Sequence, residues 1–192
     1  MRVYISLTYA FAVCCTLLIG ACSGGSTFGN GYSLTDEQGR HVTFPQEYSG
    51  KTLLVSYIYT HCPNVCVMTT DRMQRIRERL KGRNDVMFVS ITLDPRRDTV
   101  AVLRSYAEIR GIDTHQWHFL TGDQDVLDSL FGKVGVFYRR SFMERPKKGE
   151  DVYFLDHSDI VTLVDKSGTV RAEFKGTELD VDNVVEKINE IS

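Results

Sequence analysis

The stretch Thr52-Leu53-Leu54-Val55-Ser56-Tyr57-Ile58-Tyr59 runs directly into Thr60-His61-Cys62-Pro63-Asn64-Val65-Cys66, and this junction decides the fold. The first part is apolar and rich in β-formers, the mark of a strand buried on both faces. From Val65 onward, Met73, Ile76 and Leu80 recur at helical spacing, and Gly82 then stops the helix. Asp85 to Leu93 is a second buried strand. Strand, cysteine loop, helix and strand together make a βαβ unit, which implies parallel pairing and a right-handed crossover.

Working outward, Tyr32 to Phe44 reads as two short strands around the turn Glu37-Gln38-Gly39-Arg40. Asp94-Pro95-Arg96-Arg97-Asp98-Thr99 is a loop, and Asp98 is placed to cap a helix running to about Arg110, with Gly111 ending it. Trp117 to Leu120 is a short strand. Asp123 can cap the next helix, whose apolar face is Val126, Leu127, Leu130, Phe131 and Val134. Val136 to Phe142 can be extended, and Met143 to Asp151 reads as a surface loop. Tyr153 to Asp156 leads to His157. Ile160–Val164 and Val170–Phe174 form a β-hairpin, and Val181, Val184, Val185, Ile188 and Ile191 line a final helix. The order predicts an α/β, thioredoxin-like fold: a central mixed sheet flanked by helices, with an extra N-terminal β-hairpin. One domain, 32–192, holds all of it.

The N-terminus carries a different message. Arg2 precedes an uncharged apolar run from Val3 to Ala21, the charge order of a secretory signal. Leu18-Ile19-Gly20-Ala21-Cys22 resembles a bacterial lipobox, so residues 1–21 are expected to be a lipoprotein signal peptide and Cys22 the lipidated residue. Residues 22–31, beginning Cys22-Ser23-Gly24-Gly25-Ser26, read as a flexible tether. An uncleaved membrane anchor is the alternative, since a run of this length nearly spans a bilayer. Both place the domain outside the cytoplasm, in a bacterial cell envelope and held at a membrane. The 192-residue chain has 42% hydrophobic and 25% charged residues and a net charge of −2, a globular composition. No long basic block is present, which argues against nucleic acid as a partner.

Of five cysteines, only Cys62 and Cys66 fall in the folded domain. They sit where a strand gives way to a helix. There the unpaired N–H groups and the helix dipole favour the thiolate of Cys62. Pro63 suits a first helical turn. Cys66 follows one helical turn later, so both sulfurs can face one point. Such a pair can close a disulfide or chelate a soft metal. Three intervening residues depart from the two of a thioredoxin-type redox motif. A structural zinc site needs about four ligands, and this chain has no second pair. Two thiolates with one imidazole suit Cu(I). From the residues alone, redox and metal use stay open. A structural disulfide ranks third, because so short a loop removes little unfolded-state entropy.

Three separated stretches, Tyr59-Thr60-His61-Cys62-Pro63-Asn64-Val65-Cys66, then Ile91-Thr92-Leu93-Asp94-Pro95-Arg96-Arg97-Asp98-Thr99, then Leu155-Asp156-His157-Ser158-Asp159, resemble the Sco/SenC family. Members are thioredoxin-like, membrane-anchored copper chaperones linked to assembly of the dinuclear copper centre of cytochrome c oxidase. The resemblance covers nearly the whole domain. It implies that Cys62, Cys66 and His157 are ligands of Cu(I) and Cu(II), and that the cysteines form a disulfide when oxidised. It also implies a copper-receiving oxidase subunit as partner, with a thiol reductant and possible exchange with another copper chaperone. Some members reduce disulfides, so Cys62 and Cys66 could act as a redox couple. One departure is Val67, where proline often follows the second cysteine; no ligand is lost.

Other residues carry blander expectations. His61 should face away from Cys62. His41, His115 and His118 have no motif around them. Asp156 or Asp159 can orient the His157 imidazole. Asp94 and Asp98 should shape the loop and cap its helix. Tyr57, Tyr59, Tyr106 and Phe137 read as core or rim.

Overall fold

The computed structural model describes residues 26–29, 31–141 and 153–192. The strands are β1 (Tyr32–Asp36), β2 (His41–Phe44), β3 (Thr52–Ile58), β4 (Val86–Thr92), β5 (Trp117–Thr121), β6 (Tyr138–Ser141), β7 (Phe154–His157), β8 (Ile160–Val164) and β9 (Val170–Lys175). The helices are α1 (Val65–Arg79), α2 (Val100–Ile109), α3 (Gln124–Val134) and α4 (Val181–Ile191). The proposed signal peptide, Cys22, most of the tether and the Met143–Asp151 loop lie outside the described residues. No helix among the described residues is long and apolar enough to cross a membrane.

Seven strands form one mixed sheet in the order β2-β1-β5-β4-β3-β8-β9. β3, β4 and β5 run parallel, and the N-terminal hairpin and β8–β9 add antiparallel strands at the two edges. All seven residues of β3 are buried, as its apolar run requires at the centre of a covered sheet. This is the thioredoxin-like arrangement the element order predicts. A smaller two-stranded ribbon, β6–β7, stands apart from it.

Two register relations place the site. Ile58 pairs Thr92 at the carboxyl ends of the parallel strands β3 and β4, so the loops after both emerge side by side. In open α/β sheets this end is where ligands bind. β8 runs antiparallel to β3, with Ser56 opposite Val161. Residues just before β8 therefore lie beside those just after β3. The pairing brings His157 to the cysteine loop across 91 positions.

Three helix starts differ from expectation. Thr99, not Asp98, caps α2, its hydroxyl accepting from Val102 N. Asp98 points inward and is buried. Its carboxylate accepts from Thr60 N, Thr60 Oγ1 and Thr92 Oγ1. A carboxylate that ties two adjacent loops together is unavailable to cap a helix. Asp123 holds the N-cap position of α3 but makes no side-chain cap bond. α1 starts at Val65, which leaves Pro63 in the loop before it rather than in the first turn.

Candidate metal centre

Cys62 and Cys66 are both buried and unbridged. The N-cap of α1, Asn64, makes no side-chain cap bond. The Cys62 sulfur takes that part, accepting from Cys66 N at 3.3 Å. One of the orphan N–H groups of the helix is thus satisfied by sulfur, which favours the thiolate. The Cys62 thiol is held far below its ordinary range. The hydrogen bond from Cys66 lowers it most. Burial opposes that, and His157 with the N–H groups of Cys66 and Asn64 adds to the lowering. Cys66 is pushed up, because its proton is committed to the Cys62 sulfur and because it is buried beside that charge. The two sulfurs are therefore unequal, with Cys62 favouring the thiolate and Cys66 the thiol.

His157 ends β7. Along this segment the two-residue alternation points Tyr153, Leu155 and His157 toward the body of the protein and leaves Asp156 exposed. The imidazole Nε2 lies 3.7 Å from Cys66 Sγ. The two sulfurs and a ring nitrogen all lie within 4.8 Å of one another. Nδ1 lies 2.8 Å from the carbonyl oxygen of Ser158. A carbonyl can only accept, so Nδ1 carries a proton and Nε2 is the atom left for a metal. Burial lowers the His157 pKa, but the bonds to Cys62 and to Ser158 outweigh it and the net direction is up.

The orienting group differs from expectation. A backbone carbonyl holds the ring, while Asp156 pairs with Arg139 and Asp159 holds the Thr177 N–H and hydroxyl. Asp159 also meets the turn after β9. There a Cβ on Gly176 would fall 2.6 Å from Thr69 Oγ1 of α1, as well as against Asp159, so only glycine lets that turn close between α1 and the histidine loop.

The remaining histidines lie elsewhere. His61 is exposed, its Nδ1 3.1 Å from Thr60 Oγ1. His41 meets Ser33, His115 meets Asp113, and His118 meets the Tyr48 hydroxyl. Cys62, Cys66 and His157 are the one group of this kind among the described residues.

The surroundings add residues that periodicity does not single out. Tyr59 is 2% exposed, and its ring stands edge-on to His157, with centroids 5.7 Å apart. The Tyr153 hydroxyl donates to Asp94 at 2.8 Å. Arg97 pairs with Asp94, donates to the Tyr153 carbonyl at 3.0 Å and stacks 3.7 Å from the Tyr153 ring centroid. Tyr59 stands next to the cysteine motif and Asp94 and Arg97 in the second stretch, but nothing local pairs them with Tyr153. Tyr57 is buried, Tyr106 half-buried, and Phe137 is 58% exposed beside Ser158.

Two thiols and one imidazole at these separations can hold a soft or borderline metal ion. Comparison with known proteins adds the lineage. A family model described as SCO1/SenC matches residues 21–192. An SCO2-like protein of Rickettsia felis is 31% identical over 156 residues, covering 76% of this chain and 68% of its own length. The structure of yeast Sco1 with copper bound has a TM-score of 0.71 at 27% identity, covering 85% of this chain and 87% of that one. Copper-bound ScoI of Bradyrhizobium japonicum has a TM-score of 0.74 at 24% identity, covering 85% and 99%, and shows the shared fold.

Proposed function

The chain belongs to the SCO1/SenC family, and from that premise we propose that it is a membrane-anchored copper chaperone. It delivers copper to the dinuclear copper site of cytochrome c oxidase, or prepares the thiols of that site. The observation that carries this reading is the meeting of Cys62, Cys66 and His157 within 4.8 Å. Copper is the cargo. Two thiolates suit Cu(I), and the added imidazole suits Cu(II). The copper-bound yeast relative supports the choice of metal.

In this reading Cys62, already held toward the thiolate, receives the ion, Cys66 loses its proton as it closes on it, and His157 binds through Nε2, the ring nitrogen that the Nδ1–H bond to Ser158 leaves available. Release is ligand exchange onto acceptor thiolates. Oxidation of the pair to a disulfide removes both sulfur ligands, so a thiol reductant is a required partner, and another copper chaperone can supply the ion. A lipid on Cys22 would hold the domain at the outer face of the cytoplasmic membrane or elsewhere in the bacterial envelope.

Copper titration of the purified full chain tests the assignment. Cys62→Ser and Cys66→Ser should each lose tight Cu(I) binding, and His157→Ala should lose Cu(II) affinity. Wild-type affinity for both oxidation states in all three variants would end it.

The unequal sulfurs favour a second reading, a thiol-disulfide reductant. Cys62 thiolate attacks a target disulfide, and Cys66 resolves the mixed disulfide. The pair gives up two electrons and the Cys66 proton and closes to a disulfide, and the target leaves as one thiol and one thiolate that takes its proton from solvent. Measuring the reduction potential together with turnover on a disulfide peptide checks it; no turnover at any accessible potential removes this reading.

A further inference from the structure

β7 carries His157 but belongs to a ribbon outside the main sheet. The β3–β8 pairing brings the start of β8 beside the cysteine loop, but β7 itself makes no ladder bond to the main sheet, so other contacts complete its placement. Ser158 N donates to Phe137 O at 2.8 Å, which makes Phe137–Ser158 a hydrogen-bonded pair of the ribbon. Such pairs alternate along antiparallel strands, so Arg139–Asp156 is the next one and Arg140–Leu155 falls between. The peptide groups of Leu155 therefore face away from β6 and find no partner within the ribbon.

Both are met by one side chain. The Tyr59 hydroxyl donates to Leu155 O at 3.4 Å and accepts from Leu155 N at 3.3 Å. The same tyrosine presents its ring edge-on to His157 at an interplanar angle of 90°. Tyr59 directly follows β3, and Cys62 N donates back to Tyr59 O at 3.2 Å. One residue is thus bonded to the cysteine loop through its backbone, to the histidine strand through its hydroxyl, and packs on the imidazole through its ring. Farther up the strand, Tyr153 is fixed to the Asp94–Arg97 pair.

We infer that Tyr59 is a positioning residue for the metal site: its hydroxyl fixes the distance between His157 and the two cysteines. The inference rests on the copper reading above. Its consequence depends on oxidation state. The two thiolates, placed by the cysteine loop and α1 without help from β7, supply most of the grip on soft Cu(I), and the imidazole adds little to it. Cu(II) needs the imidazole, so its binding depends on where the strand sits. The hydroxyl thereby sets the balance between the two copper states.

The test is Tyr59→Phe in the full chain, titrated separately with Cu(I) and Cu(II) against competing chelators, alongside His157→Ala and the double variant. The ring is kept and only the hydroxyl is lost, which leaves two buried peptide groups unpaired. Cu(II) affinity should fall about tenfold, the scale of one buried hydrogen bond. Cu(I) affinity should stay within about twofold, and the thiolate-to-Cu(II) absorption should shift. The double variant should match His157→Ala alone. Tyr153→Phe, which frees the same strand at another point, should repeat the selective loss if Tyr59→Phe does not fold. Equal losses for both copper states, no change in either, or a further loss in the double variant would overturn the inference. Wild-type Cu(II) affinity in His157→Ala would instead overturn the copper-site reading beneath it.

Discussion

Cys62 sits in the loop between β3 and α1 and Cys66 in the first turn of α1, with the Cys62 sulfur bonded to the N–H of Cys66. His157 sits on a two-stranded ribbon whose links to the main sheet near the site run through tyrosine and arginine side chains. One region carries its own geometry; the other borrows it. Backbone continuity fixes the sulfurs wherever β3 and α1 form. Beyond the β3–β8 pairing, the imidazole is held in place by Tyr59, Tyr153, Asp94 and Arg97 through the strand that carries it. In the proposed copper reading, a carrier built this way would have a two-sulfur seat fixed by the backbone and a third ligand set by side-chain contacts. That suits an ion that must be gripped and then surrendered.

The largest break in this comparison comes from the cysteine side. Cys66→Ala should abolish tight Cu(I) binding and leave the His157 ring without its sulfur neighbour. The loss should exceed the roughly 10–100-fold typical of an outer-sphere change. Chelator competition measures it, and the His157→Ala protein, retaining Cu(I), gives the contrast.

A smaller effect comes from beneath the cysteine loop. Asp98→Ala removes the carboxylate that ties Thr60 to Thr92. It should cost about 1–3 kcal/mol in urea unfolding, because buried donors lose their acceptor. Cu(I) and Cu(II) affinities should fall together, unlike the selective loss expected for Tyr59→Phe. A selective Cu(II) loss here would erase the distinction between the two regions.

The smallest effect serves as a control far from both. Asp165, in the turn between β8 and β9, accepts from Ser167 Oγ, Thr169 N, Arg171 Nε and Ser167 N. Burial raises its carboxyl, but these donors outweigh it and hold it lowered from 3.8 to about 2. A depressed folded-state pKa stabilises the fold above the unfolded value and loses that contribution as pH falls through the folded one. Asp165→Asn should cost about 1 kcal/mol at pH 7. Its gap from wild type should close as pH drops toward about 2. Urea midpoints across pH measure this, and copper affinity should not move.

The two regions also differ in how legible they are in the chain. The β3-loop-α1 passage is readable because strand content, helical spacing and two nearby cysteines are all local. The order of elements likewise leads to the mixed sheet that forms. His157 is singled out only by resemblance, because its approach to Cys66 depends on β3 pairing antiparallel with β8, a register that local residues do not display. The same reason hides Tyr153 and its bond to Asp94, which lies 59 positions away. Asp98 looks like a helix cap because capping is a local rule. Its actual partners, Thr60 and Thr92, come together because β3 and β4 end side by side. The His157 ring is oriented by the carbonyl of its neighbour Ser158, which any residue there would offer.

X-ray absorption at the copper edge of the Cu(II)-loaded full chain tests the account most directly. Two sulfur scatterers and one imidazole nitrogen are expected, with the imidazole contribution lost in His157→Ala and the sulfurs retained. An imidazole contribution that survives in His157→Ala, or a first shell without two sulfurs, would contradict it.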